Sequence, residues 1–292
     1  MLLTTYLPLA GVLLVTVGLR MVAWRRLPPR AALWTLTTIA VTGSLTVLAA
    51  TAVLAGGFAL GTPPGMWLID SCSLFADHHR VPWGIGVPAI LVLALSAWRI
   101  GSVLSVSSLE RGLCGGPLTI LDTVEPIAYA RSGRRGGVVV STGMLEVLAP
   151  AERRVLFAHE RAHIRARHDL HLLAHRVAGA TLPWIGAMND EVRLAIERAA
   201  DAAALAEVDG DRRLVATAIA RAALAADRHG ATSLALAFNG GTVGYRVQSM
   251  LVPSGRAAMP AAVTSMLGLA GALASSIFLH HLATLLEHIC LP

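Results

Sequence analysis

The sequence contains no lysine and few charged residues of either sign. Only 14% of its 292 residues are charged, whereas a soluble globular protein usually carries about 25%. All 24 basic residues are arginines, and a codon bias explains this more simply than a need for guanidinium groups. The net charge of +6 comes with no basic run interleaved with aromatic residues, which argues against direct binding of nucleic acid.

Cysteine is also scarce. Cys72, Cys114 and Cys290 lie far apart and form no Cys-x-x-Cys pair, so they describe neither a cysteine zinc site nor a disulfide framework. The topology derived below places Cys72 and Cys290 on the same, outer side of a membrane. A disulfide between them is compatible with that compartment, and two unpaired cysteines remain the alternative.

What the sequence has instead is four long stretches without charge, on either side of a charged central block. Each is long enough to cross a hydrocarbon core that needs roughly 20 apolar residues. The predicted spans lie at about residues 2–19, 33–57, 81–98 and 261–285. Three spans therefore occupy residues 1–100 and one occupies 257–292. The second is expected to end near Gly56 and Gly57.

Arginine placement gives the orientation. The loop between the first two spans holds Arg20, Arg25, Arg26 and Arg30 and no acid, so the positive-inside tendency makes it cytoplasmic. Alternation then places residues 101–256 inside. The sequence predicts a multi-pass protein of the bacterial cell membrane, in contact with the lipid bilayer, with a cytoplasmic central domain.

Within the central block, residues 126–130 and 137–141 are predicted as two short strands. The second could pair with an extended substrate at an exposed edge or lie inside a sheet. Pro150 suits the first turn of a helix that continues without a breaker to about residue 178. Further helices are expected at about 188–208, 211–228 and 244–251, with a loop at 229–243.

The first of these helices carries an H-E-x-x-H motif. His159 and His163 lie four residues apart, so both imidazoles point from one helix face and can bind one Zn²⁺. Glu160 can reach the attacking water rather than the metal and accept its proton. A short motif of this kind also arises by chance, so a third ligand is needed.

The next predicted helix offers that ligand. Glu197 would complete a site of two histidines and one glutamate, with one zinc ion per chain. Asp201, one turn later, faces the same side and could accept the spare N–H of a ligating histidine. These two half-motifs on consecutive helices predict zinc peptidase chemistry. The fold class is therefore an α-helical integral membrane protein with an inserted α+β, zincin-like metallopeptidase domain.

The chain resembles the BlaR/MecR-type membrane metallopeptidases of the gluzincin group. The resemblance rests on residues 138–145, on His159 to His163, on Pro183 and Trp184, on residues 193–201 and on 245–251. It implies His159, His163 and Glu197 as metal ligands, Glu160 as base and Asp201 as the partner of a ligand. It also implies limited proteolysis of a cytoplasmic protein substrate, typically a transcriptional repressor, in response to an outside signal.

Two departures limit what the resemblance implies. The sequence stops at Pro292, without the penicillin-binding domain of the antibiotic sensors, so a β-lactam sensor role is not supported. The family also tends to place an acid five residues after the second histidine. Here that position is His168 and Asp169 follows it. Because an offset of one residue turns a helical side chain by about 100°, Asp169 is not expected to take that role.

Other polar residues have simpler interpretations. On one long helix, His168, His171 and His175 would form a partly solvated polar face well round from the motif. The candidates for stabilising an oxyanion are Tyr129, His229, Tyr245 and Arg246. Two other functions remain open: a quality-control peptidase similar to HtpX, and a metal-free membrane signalling or scaffold protein. The first is disfavoured because no span separates the H-E-x-x-H helix from Glu197, and the second because the four site residues are intact.

Overall fold

A computed structural model of the chain describes residues 24–60, 81–111, 116–131, 136–228 and 240–252. The predicted spans near 2–19 and 261–285 lie outside these residues, as do the three cysteines and His229. A short 3-10 turn, Trp24–Arg26, comes first. The helices are α1 Pro29–Leu60, α2 Trp83–Arg111, α3 Thr142–Val147, α4 Pro150–Arg165, α5 His168–Thr181, α6 Pro183–Gly186, α7 Asn189–Glu207, α8 Arg212–Arg228 and α9 Gly240–Leu251. The strands are β1 Leu118–Leu121, β2 Ala128–Arg131 and β3 Gly137–Ser141.

Helices α1 and α2 are the two described helices that could cross a membrane. Over Pro29–Ala59 and Trp83–Ser107 they have the required length and apolar composition. Most of their surface is not covered by protein, and side chains such as Leu91, 63% exposed, point outward. Exposed apolar surface of this extent is unfavourable in water and suggests membrane association. Gly56 and Gly57 do not end α1, because a helix in an apolar setting keeps its backbone hydrogen bonds.

The start of α1 belongs to the core of the central domain. Trp24, Leu27, Leu33 and Leu36 are buried in one cluster with residues of α7, including Val192. Helix α2 packs against α1 and ends at Arg111, shortly before β1. The first end of α1 and the last end of α2 therefore both adjoin the domain.

A three-stranded sheet covers one side of the domain in the order β1-β3-β2. Strand β3 is parallel to β1 and antiparallel to β2, with Val139 opposite both Thr119 and Tyr129. All five residues of β3 are buried, so this strand is internal and the alternative of an exposed substrate-binding edge is wrong for it. Strand β1 was not predicted. Among the described strands, β2 and β1 form the two edges.

The predicted unbroken helix from Pro150 to about residue 178 is wrong. Helix α4 ends at Arg165, and Arg167 takes the left-handed conformation with φ of 52° before α5 begins at His168. This conformation costs a non-glycine residue roughly 1–2 kcal/mol, and no glycine or proline marks the break. Packing of α5 against α1 and α2 offsets the cost of this conformation. A prediction from local helix propensity does not include such contacts.

Helices α3 and α6 were not predicted, whereas α7, α8 and α9 agree with prediction apart from their ends. Helices α7 and α8 begin and end within one residue of the predicted ranges 188–208 and 211–228. Helix α9 begins at Gly240, four residues before the predicted start, so the loop predicted to residue 243 is too long. Helix α9 packs against α8 and also contacts α7, which brings it beside the predicted metal ligands.

Candidate metal centre and active site

Helices α4 and α7 pack face to face. Helix α4 carries the H-E-x-x-H motif, and α7 carries Glu197 and Asp201. Both helices are amphipathic, and their buried faces meet around small residues such as Ala158, Ala162 and Ala200. Small side chains let the two backbones approach closely. The polar side chains at the facing positions therefore meet inside the domain.

His159, His163 and Glu197 are the described group of three side chains that could hold a metal ion. The Nε2 atoms of the two histidines are 3.1 Å apart. Glu197 Oε2 lies 3.3 Å from His159 Nε2, and Glu197 Oε1 lies 3.8 Å from His163 Nε2. Zinc ligands at about 2.0–2.1 Å in a tetrahedron are separated by about 3.3 Å. Two imidazole nitrogens and one carboxylate at these separations fit a zinc ion.

Asp201 fixes the orientation of the first histidine. Its Oδ1 lies 3.0 Å from His159 Nδ1, so the Nδ1–H of His159 donates to this carboxylate, and in the neutral ring Nε2 directs its lone pair toward the centre. Burial disfavours the charged imidazole, but the hydrogen bonds to Asp201 and Glu197 outweigh burial and raise the pKa of His159 to about 10. In the metal-free protein the proton on His159 Nε2 must leave before Nε2 can bind zinc.

Arg246, from α9, holds the two carboxylates in place. Its Nε and Nη2 donate to Asp201 at 2.8 and 2.7 Å, and its Nη1 lies 3.0 Å from Glu197 Oε2. Burial raises the pKa of Glu197 and of Asp201, but the guanidinium of Arg246, together with His159 and at Glu197 also His163, outweighs burial and keeps both pKa values below their usual range. Sequence reasoning proposed Arg246 for an oxyanion, whereas the structure directs its guanidinium at the acids of the metal centre.

The second histidine has a partner that the sequence did not predict. His168 Nδ1 lies 3.0 Å from His163 Nδ1, and the two rings meet edge to face. Burial, together with the neighbouring His163, lowers the pKa of His168 to about 3, so its ring is neutral and can accept the Nδ1–H of His163. The expected partly solvated face is wrong: His168, His171 and His175 are 3%, 7% and 1% exposed.

Glu160 lies beside the metal ligands and lines the same cavity of about 310 Å³. Burial raises the pKa of this carboxyl to about 7, although His159 acts in the opposite direction. Apolar side chains, among them Met144, Leu148 and Ile219, line the same cavity. The cavity therefore brings together a candidate metal centre, apolar surface and a carboxyl group that can gain or lose a proton near neutral pH.

Of the other predicted residues, Tyr129 on β2 lines the cavity. Tyr245 does not; its ring faces the guanidinium groups of Arg25 and Arg198. Asp169 lines the cavity next to His168 but does not take the contact with His163. The role of His168 follows from the break at Arg167, and no sequence signal marks that break.

Comparison with protein-family models gives one match, and it spans the domain just described. Residues 118–251, from β1 to the end of α9, match the model of peptidase family M48. Comparison with curated proteins and with solved structures gives no significant match. Peptidases of family M48 are typically zinc-dependent, in agreement with the group formed by His159, His163 and Glu197. The match to residues 118–251 supports the M48 metallopeptidase family and indicates a peptidase.

Proposed function

We propose that this chain is a membrane-bound zinc endopeptidase that cleaves a cytoplasmic or membrane-proximal protein. The observation that carries the proposal is the convergence of His159, His163 and Glu197 at tetrahedral separations, with Glu160 in the same cavity. A zinc ion held by these three residues would supply a Lewis acid, which would polarise the scissile carbonyl and lower the pKa of water.

The remaining chemistry belongs to the side chains of the chain itself. Glu160 takes the proton of the attacking water and later delivers it to the leaving amine. Burial suits Glu160 to both steps because it brings the pKa of the carboxyl near neutral pH. Asp201 holds His159 through Nδ1, and Arg246 holds Asp201 and Glu197, so the ligand set is oriented before substrate arrives.

Strand β2 provides the substrate-binding edge that sequence analysis considered for β3. Ala128, Tyr129 and Ala130 line the cavity, and the backbone of Ala130 hydrogen-bonds the Glu160 carboxyl. An extended peptide that paired with β2 would place its backbone across the metal centre and one side chain in the apolar pocket. The Tyr129 hydroxyl is then the candidate for stabilising the oxyanion.

The location follows from the spans and from arginine placement. Helix α1 starts within the domain, and Arg25, Arg26 and Arg30 lie at that start. The positive-inside tendency therefore supports a cytoplasmic location of the domain. The resemblance to the BlaR/MecR-type peptidases supports regulated proteolysis of a repressor-type substrate. A quality-control peptidase with broader substrates and a metal-free scaffold are the competing functions.

Zinc content and cleavage, measured together, test the proposal. The full chain, purified in detergent, is assayed for metal by mass spectrometry and for cleavage of fluorescent casein. The variants are Glu160→Gln and His163→Ala, with Arg161→Ala as the control on an exposed position of the same helix. We expect one zinc per chain in the parent, in Glu160→Gln and in Arg161→Ala, and cleavage in the parent and in Arg161→Ala alone.

Each competing function gives a different result. Folded protein without zinc would establish the scaffold. Zinc-loaded parent that cuts casein at many sites would favour quality control, whereas selective cleavage favours a dedicated substrate. Cleavage that survives Glu160→Gln would remove Glu160 from its role as base.

A further inference from the structure

Helix α5 continues past the metal centre and runs beside α1. Near its start, His171 Nδ1 lies 2.8 Å from Thr37 Oγ1. Further along, Ala178, Leu182 and Ile185 form a buried cluster with Ala40, and Val47 packs against the same cluster. Along α5, the chain rises by about 15 Å from His171 to Leu182. Along α1, it rises by about the same distance from Thr37 to Val47. Helix α5 therefore runs parallel to α1 rather than across its end.

This contact reaches membrane depth. The apolar span of α1 ends at Ala59, and Val47 precedes that end by twelve residues, or about 18 Å of helix. The hydrocarbon core is about 30 Å thick. If Ala59 lies at the far interface, Val47 lies inside the core. The segment that packs against Val47 then lies below the membrane surface on the side of the domain.

The composition of that segment suits hydrocarbon. Residues 177–188 contain no charged side chain; the flanking charges are Arg176 and Asp190. Its turns are hydrogen-bonded within the segment, with Leu182 N–H donating to Ala178 O and Met188 N–H to Ile185 O. A Cβ atom on Gly179 would lie 2.8 Å from Gly186 Cα, so glycine is what lets the two arms of the turn touch. A bilayer accepts a broken helix only when its backbone is satisfied in this way.

We propose that residues 177–188 form a hairpin that inserts into the bilayer on the domain side of the membrane, beside α1, with Pro183 and Trp184 in contact with lipid. Both side chains are exposed at the tip, and Trp184 is 44% exposed. Helix α5 begins at His168, which contacts His163, so about 20 Å of helix joins the metal centre to this tip. The hairpin holds the cleft at the membrane surface and restricts it to membrane-proximal substrates.

Spin-label accessibility tests the insertion in the full chain. The three native cysteines are changed to serine, and one cysteine is introduced by Trp184→Cys for nitroxide labelling. The protein is reconstituted in vesicles of phosphatidylcholine and phosphatidylglycerol. Two matched controls replace exposed leucines: Leu91→Cys on α2, 63% exposed, and Leu224→Cys on α8, 58% exposed. Helix α8 packs against four elements of the domain, namely α3, α4, α7 and α9.

The label on residue 184 is expected to collide with oxygen more often than with the water-soluble reagent NiEDDA, as at position 91, whereas position 224 gives the opposite ratio. A ratio at 184 like that at 224 would overturn the insertion. Protection of 184 from both reagents would also overturn it, because protein rather than lipid would then cover the tip. Equal melting temperatures, followed by circular dichroism, show that the labelled proteins are folded whether or not they bind zinc. The accessibility ratio does not depend on cleavage, so failure of the hairpin is distinguishable from failure of the peptidase function.

Discussion

Replacing Arg246 by methionine removes the cation that two buried carboxylates share and keeps most of the apolar stem. Arg246 is 3% exposed and Asp201 is 1% exposed, and the two are joined by hydrogen bonds of 2.8 and 2.7 Å. Glu197 Oε2 lies 3.0 Å from the same guanidinium. Breaking a buried ion pair by removing one partner costs about 3–5 kcal/mol, because the remaining charge has no compensation.

The expected result is a loss of stability that depends on metal. For a domain of this size, about 3–5 kcal/mol lowers the melting temperature by roughly 6–20 °C. The metal-free protein should lose most, since zinc would neutralise Glu197 in the loaded form. Arg161→Met is the matched control: Arg161 and Glu207 form an exposed pair at 2.9 Å, worth less than about 1 kcal/mol.

Thermal unfolding followed by circular dichroism, with zinc and with chelator, measures both variants. Adding Asp201→Asn to Arg246→Met should recover part of the loss, because one of the two uncompensated charges disappears. The reasoning is refuted if Arg246→Met and Arg161→Met unfold within about 1 kcal/mol of each other in chelator. The buried carboxylates would then need no cation, and the metal centre would be organised by something other than Arg246.

Three further variants test other parts of the site. In metal-free protein, the pKa of Glu160 is raised to about 7. The protonated carboxyl therefore contributes fully to the free energy of unfolding below about pH 4.5, and this contribution is lost as the pH rises through 7. Between those pH values, the free energy of unfolding of Glu160→Gln, measured in urea, should therefore rise by about 3 kcal/mol relative to that of the parent. The same pH dependence in both proteins would contradict this. His168→Leu should weaken zinc binding about 10–100-fold in chelator competition, whereas His168→Asn, whose Oδ1 replaces the accepting Nδ1, should retain it. Equal losses would show that His168 only fills space. Arg167→Gly should raise stability by up to about 1 kcal/mol, since φ of 52° suits glycine; a lower melting temperature would place the strain elsewhere.

The metal centre was predictable where its geometry is local. His159 and His163 lie one helical turn apart, as do Glu197 and Asp201, and each spacing fixes one face of one helix. Helices α5 and α6 lie between these two helices in the chain, so how the two faces meet depends on tertiary packing. The two described helices that could span a membrane were predictable because a long apolar stretch favours its own helical conformation.

The contacts that depend on distant chain segments were not predictable in the same way. Arg246 lies 45 residues after Asp201, on a short helix whose start was misplaced, and nothing local to it indicates two acidic partners. Strand β1 exists because its residues pair with β3, and its four residues are too few to show a clear alternation. The partly solvated face predicted for His168, His171 and His175 is wrong because nothing in the sequence indicates that α5 packs against α1.

The break at Arg167 shows why these contacts are related. In one continuous helix, His168 would point about 140° away from His163, since five residues advance the helix by about 500°. The left-handed residue redirects the chain so that His168 contacts His163 and, three residues later, His171 contacts Thr37 on α1. Thr37 also donates its single hydroxyl hydrogen to Leu33 O, so it must accept from His171 Nδ1–H. One turn of α5 thus joins His163, a candidate metal ligand, to α1, a candidate membrane span, through two directed hydrogen bonds. A continuous helix would provide neither, which is the physical reason for the strain at residue 167.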